Sequence, residues 1–547
     1  MHILKNFGQK RKRMLAILLA LVMTLLTSLG SGAAVQAAED IVNVGVTYTF
    51  NTLNPLLYDA TIVNHAAISL QFQPLVELKS DMTFDYLIAD KVTTEDNLTF
   101  TIHLNDQAAW SDGQPITADD VIFTILKTTS KGIGNLNVYN YSNFEGFDAG
   151  GQLADDAKLE DVPALKKLDE KTLSLTARHP IPLNSFLASY LRYIYPLPSH
   201  VLEGQSAEEL RTSTWFNAPD VVSGPYRLVD LNLDHYAAYT ANEDYWRGSP
   251  QIKSLNLKIV QGSGILAGLQ AGELDIVPAT MAAIPVEDQA VICDMEGLTA
   301  SYDKPLTNNY LFINLKSIPD VHIRRAILQG INRQLLLEGF LQGKGEVTDG
   351  FLNSYSPYFD DQLEVAAFDP AAAKDEMAEA DWSQDEPLLF LINSGDPLMT
   401  HVSNVIVQQL KDLGLAVKVQ AMDLGSLLGE VNQHKYDLMA VQYTMVPIDP
   451  LADMVWLASS SEDAVNWSNY QSEEINALLD QAALVADGDT GGMQEVLGKI
   501  DRLIQTDVPL VNLYVESPLS VVSDRVDHVS PGSYGMFNDV HSWTLVD

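Results

Sequence analysis

Cysteine is all but missing: Cys293 is the only one among 547 residues. A single thiol closes no internal disulfide, so the fold must be held by packing alone, and no cysteine-based zinc site can be built. Its flanks, AVICDME, suggest a packed thiol rather than a reactive one. Positive charge is scarce too, with 33 Lys and Arg against 72 Asp and Glu and a net charge of −39. That balance excludes nucleic acid as a partner; it reads first as a solvated acidic surface and second as a preference for cationic ligands. With 24 Pro and 33 Gly there is no low-complexity tract, and no internal repeat is found. Beyond about Leu29 no apolar run is long enough for a bilayer. The motifs G-x-S-x-G, H-E-x-x-H and G-x-x-x-x-G-K-[ST] are all absent, and the acid pairs Asp119 with Asp120 and Glu473 with Glu474 read as helix starts, which leaves no candidate catalytic residue. The 11 His are scattered, with neither an i, i+4 pair nor a Cys partner, so no metal ligand is assigned.

What is present begins with an export signal. Lys5, Lys10, Arg11, Lys12 and Arg13 precede an apolar run from Met14 to about Leu29 and the small residues of AVQAAED, so cleavage is expected after Ala37. An uncleaved anchor helix is the alternative, though the run is short and interrupted by Thr24, Thr27 and Ser28. No cysteine stands at the signal end, so a lipoprotein is not expected. The mature chain is expected outside the cytoplasmic membrane, periplasmic or at the cell surface, as a monomer without cofactor.

Length alone calls for two or three lobes. IVNVGVTYTF alternates Val42, Val44, Val46, Tyr48 and Phe50 with polar residues, a strand stopped by NTLNP. IVNHAAISLQFQPLVEL reads as a helix, and LTFTIHL as a strand burying Leu98, Phe100, Ile102 and Leu104. In WSDGQPITADDVIFTI, Asp112-Gly113 supplies a turn, Pro115 ends the strand, Thr117 is an N-cap, and Asp119 and Asp120 fill the first helical turn. These acids are scaffold. SGPYRLVDL, the strand in QIKSLNLKIV and the helix-strand run ILAGLQAGELDIVPAT continue an α/β pattern. NNYLFINL reads as a buried strand, DVHIRRAILQGINRQLLLEGFLQG as a helical pair, and Asp369-Pro370 as a helix start. From PLLFLIN to MVPIDP runs strand-helix-strand-helix-strand, a doubly wound unit and a second lobe.

Five segments in this order carry a resemblance over essentially the whole mature chain: LTFTIHLNDQAAWSDGQPITADDVIF, SGPYRLVDLNLDHYAAYTANEDYWRGSP, LAGLQAGELDIVPA, LFINLKSIPDVHIRRAILQGINRQLLLEGFLQGKG and YDLMAVQYTMVPIDPLADM. The sequence resembles the family 5 extracellular solute-binding proteins, which feed peptides, nickel and some other solutes to ABC importers. The resemblance implies an α/β, two-lobed periplasmic-binding-protein-like fold. A large discontinuous lobe would take residues 38–306 and 508–547, a smaller inserted lobe residues 307–507, with a hinge at the two crossings. It implies a non-catalytic subunit that closes around a small solute, most readily an oligopeptide, and delivers it to an ABC permease.

Peptide-binding members typically read aromatic-x-x-Asp-x-x-Asp-Pro where this chain has Tyr443, Thr444, Met445, Val446, Pro447, Ile448, Asp449 and Pro450. Tyr443, Thr444, Met445 and Val446 are therefore expected to line the cleft, with Trp467 and Tyr514 added on aromatic character alone; Tyr226, Trp246, Tyr310 and Trp456 are read mostly as core. Val446 stands where the resemblance implies an aspartate facing the ligand's ammonium. Either another acid such as Asp453 takes over, or the ligand lacks a free amine. A nickel or metal-chelate ligand and a sensor docking on a membrane signalling protein remain as alternatives.

Overall fold

The computed structural model describes residues 40–58, 61–135, 137–384, 386–458 and 466–546. The expected export signal lies outside the described residues. Two large sheets dominate. Val42, Val44 and Val46, fully buried on alternate positions, place the strand Ile41–Val46 in the middle of the first. There it runs parallel to Ser254–Ile259 and Ile276–Val277. Tyr236–Ala241 and Tyr226–Asn232 extend one side; Leu519–Ser523 and Leu298–Tyr302 complete the other. A four-stranded sheet containing Thr99–Leu104 is inserted between Ile41–Val46 and Tyr226–Asn232, and Phe100, Ile102 and Leu104 join the same hydrophobic core as Val42 and Val44.

The second sheet orders Gly345–Glu346, Leu510–Glu516, Thr307–Ile313, Leu438–Thr444, Leu388–Asn393 and Val417–Met422. Its last three strands are mutually parallel and joined by the helices Pro397–Asp412 and Leu424–Val431, as the strand-helix alternation predicts. Asp369 caps the helix Pro370–Glu379 by accepting from the amides of Ala371 and Ala372, both at 3.0 Å. The helical pair is Val321–Gly330 and Arg333–Leu341.

Three expectations change. The helix from Ile62 ends at Ser69, and Val76–Leu78 is a short strand paired with Phe84–Tyr86, because Pro74 has no amide to continue the helical ladder. Leu510–Glu516 was expected to belong with the first lobe, yet it pairs antiparallel with Thr307–Ile313 in the second sheet. Six consecutive buried residues, Leu510 to Val515, need cover on both faces, which an interior strand supplies. By sheet membership the return crossing is therefore Ser517–Pro518 rather than position 508. Cys293 is exposed at the end of the helix Val286–Cys293, where Ile292 takes the buried face.

The two crossings lie side by side. The amide of Asp303 donates to the Pro518 carbonyl and that of Leu306 to the Glu516 carbonyl, each at 2.9 Å. The lobes also pack on each other: Leu78, Met82, Ala188 and Tyr534 from the first share a hydrophobic cluster with Tyr310, Tyr355, Met445 and Met454 from the second.

The segment around Trp110 is scaffold, as read. Gly113 turns with φ +85°, and its amide donates to the Trp110 carbonyl at 2.9 Å. Thr117 and Asp120 form a capping box at the start of Ala118–Thr128. Asp120 is buried and also accepts from the amide (3.0 Å) and hydroxyl (2.7 Å) of Ser199. Asp119 is exposed and meets only Lys167. Asp120→Ala should therefore cost about 2–4 kcal/mol, since it leaves buried amides without an acceptor. Asp119→Ala should cost under about 0.5 kcal/mol, as expected of a surface pair; urea melts of the two variants check the contrast.

Candidate functional site

The strand Leu438–Thr444 ends at the lobe interface, and the four residues that the motif singles out follow one another there. Tyr443, half-buried and paired with Asn308, donates its hydroxyl to Asp453 Oδ1 at 2.5 Å. Thr444 is exposed, 3.0 Å from the Thr307 hydroxyl. Met445 is buried, but its carbonyl accepts from Tyr534 of the first lobe at 3.2 Å. Val446 keeps part of its surface accessible, and its carbonyl accepts the Asp449 amide at 2.9 Å. Asp449 in turn accepts from Ser189 of the first lobe at 2.5 Å. Asn184 donates to the Tyr358 hydroxyl at 3.1 Å, and the Tyr355 hydroxyl to the Ser80 carbonyl at 3.1 Å. The motif is thus stitched across the interface.

Trp467 and Tyr514 are not brought to this place. Trp467 packs edge-on against Phe312, ring centroids 5.4 Å apart, in the cluster shared by the lobes. Tyr514 is fully buried in the separate core on the other face of the second sheet.

The facing wall belongs to the first lobe and contains residues that the sequence did not single out. Arg192 is buried, with its guanidinium carbon 5.3 Å from the Tyr534 ring centre and 5.7 Å from that of Tyr193. Its Nε donates to Glu77, which also bonds His65 Nε2; the Tyr195 hydroxyl meets the other ring nitrogen. Burial pushes the Glu77 carboxyl up, but Arg192 and His65, with hydrogen bonds from His65 and the Leu78 amide, outweigh it and hold the group at about 2. The one local signal was SYLRYIYP, an arginine among tyrosines in a chain poor in cations; its partner Glu77 lies 115 residues away.

Two acids near the end of Leu438–Thr444 are the electrostatic opposite, one on the Tyr443 face of the second sheet and one on the Gln442 face. Burial pushes Asp453 up to about 7, with the Asp449 charge adding to it. Burial also pushes Glu516 up to about 7, against hydrogen bonds from Asn309 (2.8 Å) and Gln442 (3.2 Å) and with Asp396 adding to the rise. Glu516 also bears on Tyr48 of the first lobe, which is half exposed. Nothing in this arrangement resembles a nucleophile with its base, and among the described residues no group of three His, Cys, Asp or Glu is placed to hold a metal ion.

Residues 83–464 match the family model for bacterial extracellular solute-binding proteins, family 5. The chain is 21% identical over 506 residues to the oligopeptide-binding protein AppA of Bacillus subtilis, covering 87% of this chain and 88% of that one. The structure of that protein in complex with a nonapeptide superposes with a TM-score of 0.73 at 19% identity, over 93% of this chain and 99% of the other. NikZ of Campylobacter jejuni in complex with Ni(L-His) gives a TM-score of 0.73 at 20% identity, over 92% and 99%.

Glu77→Gln should destabilise the protein by about 3–5 kcal/mol at neutral pH, because Arg192 is left buried without its countercharge. The depressed Glu77 carboxyl contributes stability that is complete above its ordinary value near 4.5 and is lost as pH falls toward 2. Thermal melts from pH 6 to pH 2 should therefore show a steeper acid loss in the wild type than in Glu77→Gln.

Proposed function

The chain belongs to the bacterial extracellular solute-binding proteins of family 5, which are binding proteins and not enzymes, and from that premise we propose that it captures an oligopeptide between its lobes and delivers it to an ABC permease. The observation that carries the reading is the position of Tyr443–Val446: a strand end at the lobe interface, flanked by bonds from Tyr534 and Ser189 that exist only when the lobes meet. An extended peptide can add to such a strand end through its backbone, which accounts for tolerance of varied side chains. A ligand touching both walls binds the closed state better than the open one, and that difference is all that closure requires. Residues 1–37 serve as the export signal in this reading. Among the described residues no helix is long and apolar enough to cross a membrane.

The test is to isolate the mature protein natively, denature it and identify the released ligand by mass spectrometry. Mixed short peptides are the expected result; a single non-peptide solute or a nickel chelate would overturn the peptide assignment while leaving the family intact. A second check concerns Val446. A carboxylate placed there gives an amine-bearing peptide a charge-assisted contact, so Val446→Asp should change its affinity roughly tenfold with an unaltered melting curve. Unchanged calorimetric binding in a normally folded variant would remove Val446 from the cleft.

A further inference from the structure

Within the first lobe lies a cavity of about 50 Å³, room for a few waters or for one small guest. Its lining comes from that lobe alone, with the helix Ile62–Ser69, Arg192, Thr280 and residues 532–538 among its walls. No residue of the strand end Leu438–Thr444 takes part, so the cavity is separate from the place where Tyr443–Val446 stand.

Several polar groups of the lining are left unmet by the fold. The side chain of Arg192 is only 5% exposed. Its Nε donates to Glu77, but neither terminal nitrogen makes a hydrogen bond among the described residues. Glu77 thus meets the charge of Arg192 without using its remaining donors. Ser533 Oγ, Asn538 Nδ2 and Gln73 Oε1 are also buried without a partner. The main chain beside them is held. The Ser533 amide donates to Asp303 at 2.6 Å, its carbonyl accepts from the Thr280 hydroxyl at 3.2 Å, and the Gln73 amide donates to the Ser223 hydroxyl at 3.0 Å. A buried donor without an acceptor is costly, and several around one cavity call for a guest.

Donors predominate, so the guest must accept. The outer edge of a guanidinium is a planar fork, which matches the two oxygens of a carboxylate. Glu77 is the only acid in the lining, and both its oxygens are taken, one by Arg192 and the Leu78 amide and the other by His65. We propose that this cavity binds a small carboxylate of the size of acetate, gripped by the terminal nitrogens of Arg192, the Ser533 hydroxyl and the Asn538 amide. Gln73 Oε1, the one acceptor of the set, takes a water beside it. Tyr534 links the site to the lobe interface, with its ring centre 5.3 Å from the guanidinium carbon and its hydroxyl 3.2 Å from the Met445 carbonyl. The assignment does not depend on the peptide reading.

Calorimetry and thermal melts on the mature protein, in chloride buffer of fixed ionic strength, compare sodium acetate with acetamide, its neutral isostere. Acetate should bind one to one and raise the melting temperature, and acetamide should do neither. Arg192→Lys keeps a cation for Glu77 but loses the fork; Asn538→Leu removes one donor from a side chain that makes no hydrogen bond among the described residues. Each should weaken acetate binding about tenfold. Equal effects of acetate and acetamide overturn the assignment, as does acetate binding that survives unchanged in a folded variant of either kind. No acetate binding by the wild type overturns it too and leaves the cavity to water. If Arg192→Lys melts low, Asn538→Leu decides.

Discussion

The covalent connection between the lobes runs through two chain crossings that lie side by side. The bonds from Asp303 to Pro518 and from Leu306 to Glu516 tie them into one short ribbon. Glu516, which anchors one of these bonds through its carbonyl, also presents its carboxylate to Asn309, Gln442 and Tyr48.

The two walls that meet at the interface solve the problem of buried charge differently. In the first lobe Arg192 and Glu77 neutralise one another, with His65 and Tyr195 extending the network, so that wall is complete before any ligand arrives. In the second lobe Asp449, Asp453 and Glu516 form no ion pair among the described residues, and burial raises all three carboxyls above their ordinary range.

The aromatic residues follow the same division between packing and recognition. Tyr310 stacks on Phe351 with ring centroids 5.4 Å apart, and Phe312 meets Trp467 edge-on; these rings build the interior of the second lobe. Tyr193, Tyr443 and Tyr534 instead sit where the lobes meet, each with an apolar ring and a polar tip. Such residues suit an interface that is wet when open and dry when closed.

The sequence by itself determined the local elements and their buried faces. Val42, Val44 and Val46 alternate because a strand does; Thr117 and Asp120 cap a helix because their side chains reach its free amides. The strand-helix run from Leu388 to Thr444 was legible for the same reason, whereas the expectation for Tyr443–Val446 came from the family resemblance. Only the tertiary structure decided which faces meet. Periodicity says that Leu510–Glu516 is buried but not against which sheet, and pairing with Thr307–Ile313 across some 200 residues settled it. Trp467 and Tyr514 show the converse: aromatic character cannot tell a cleft wall from a core. Nor can any local pattern join Arg192 to Glu77, or aim Tyr534 at Met445, because those contacts exist only once separate elements have packed.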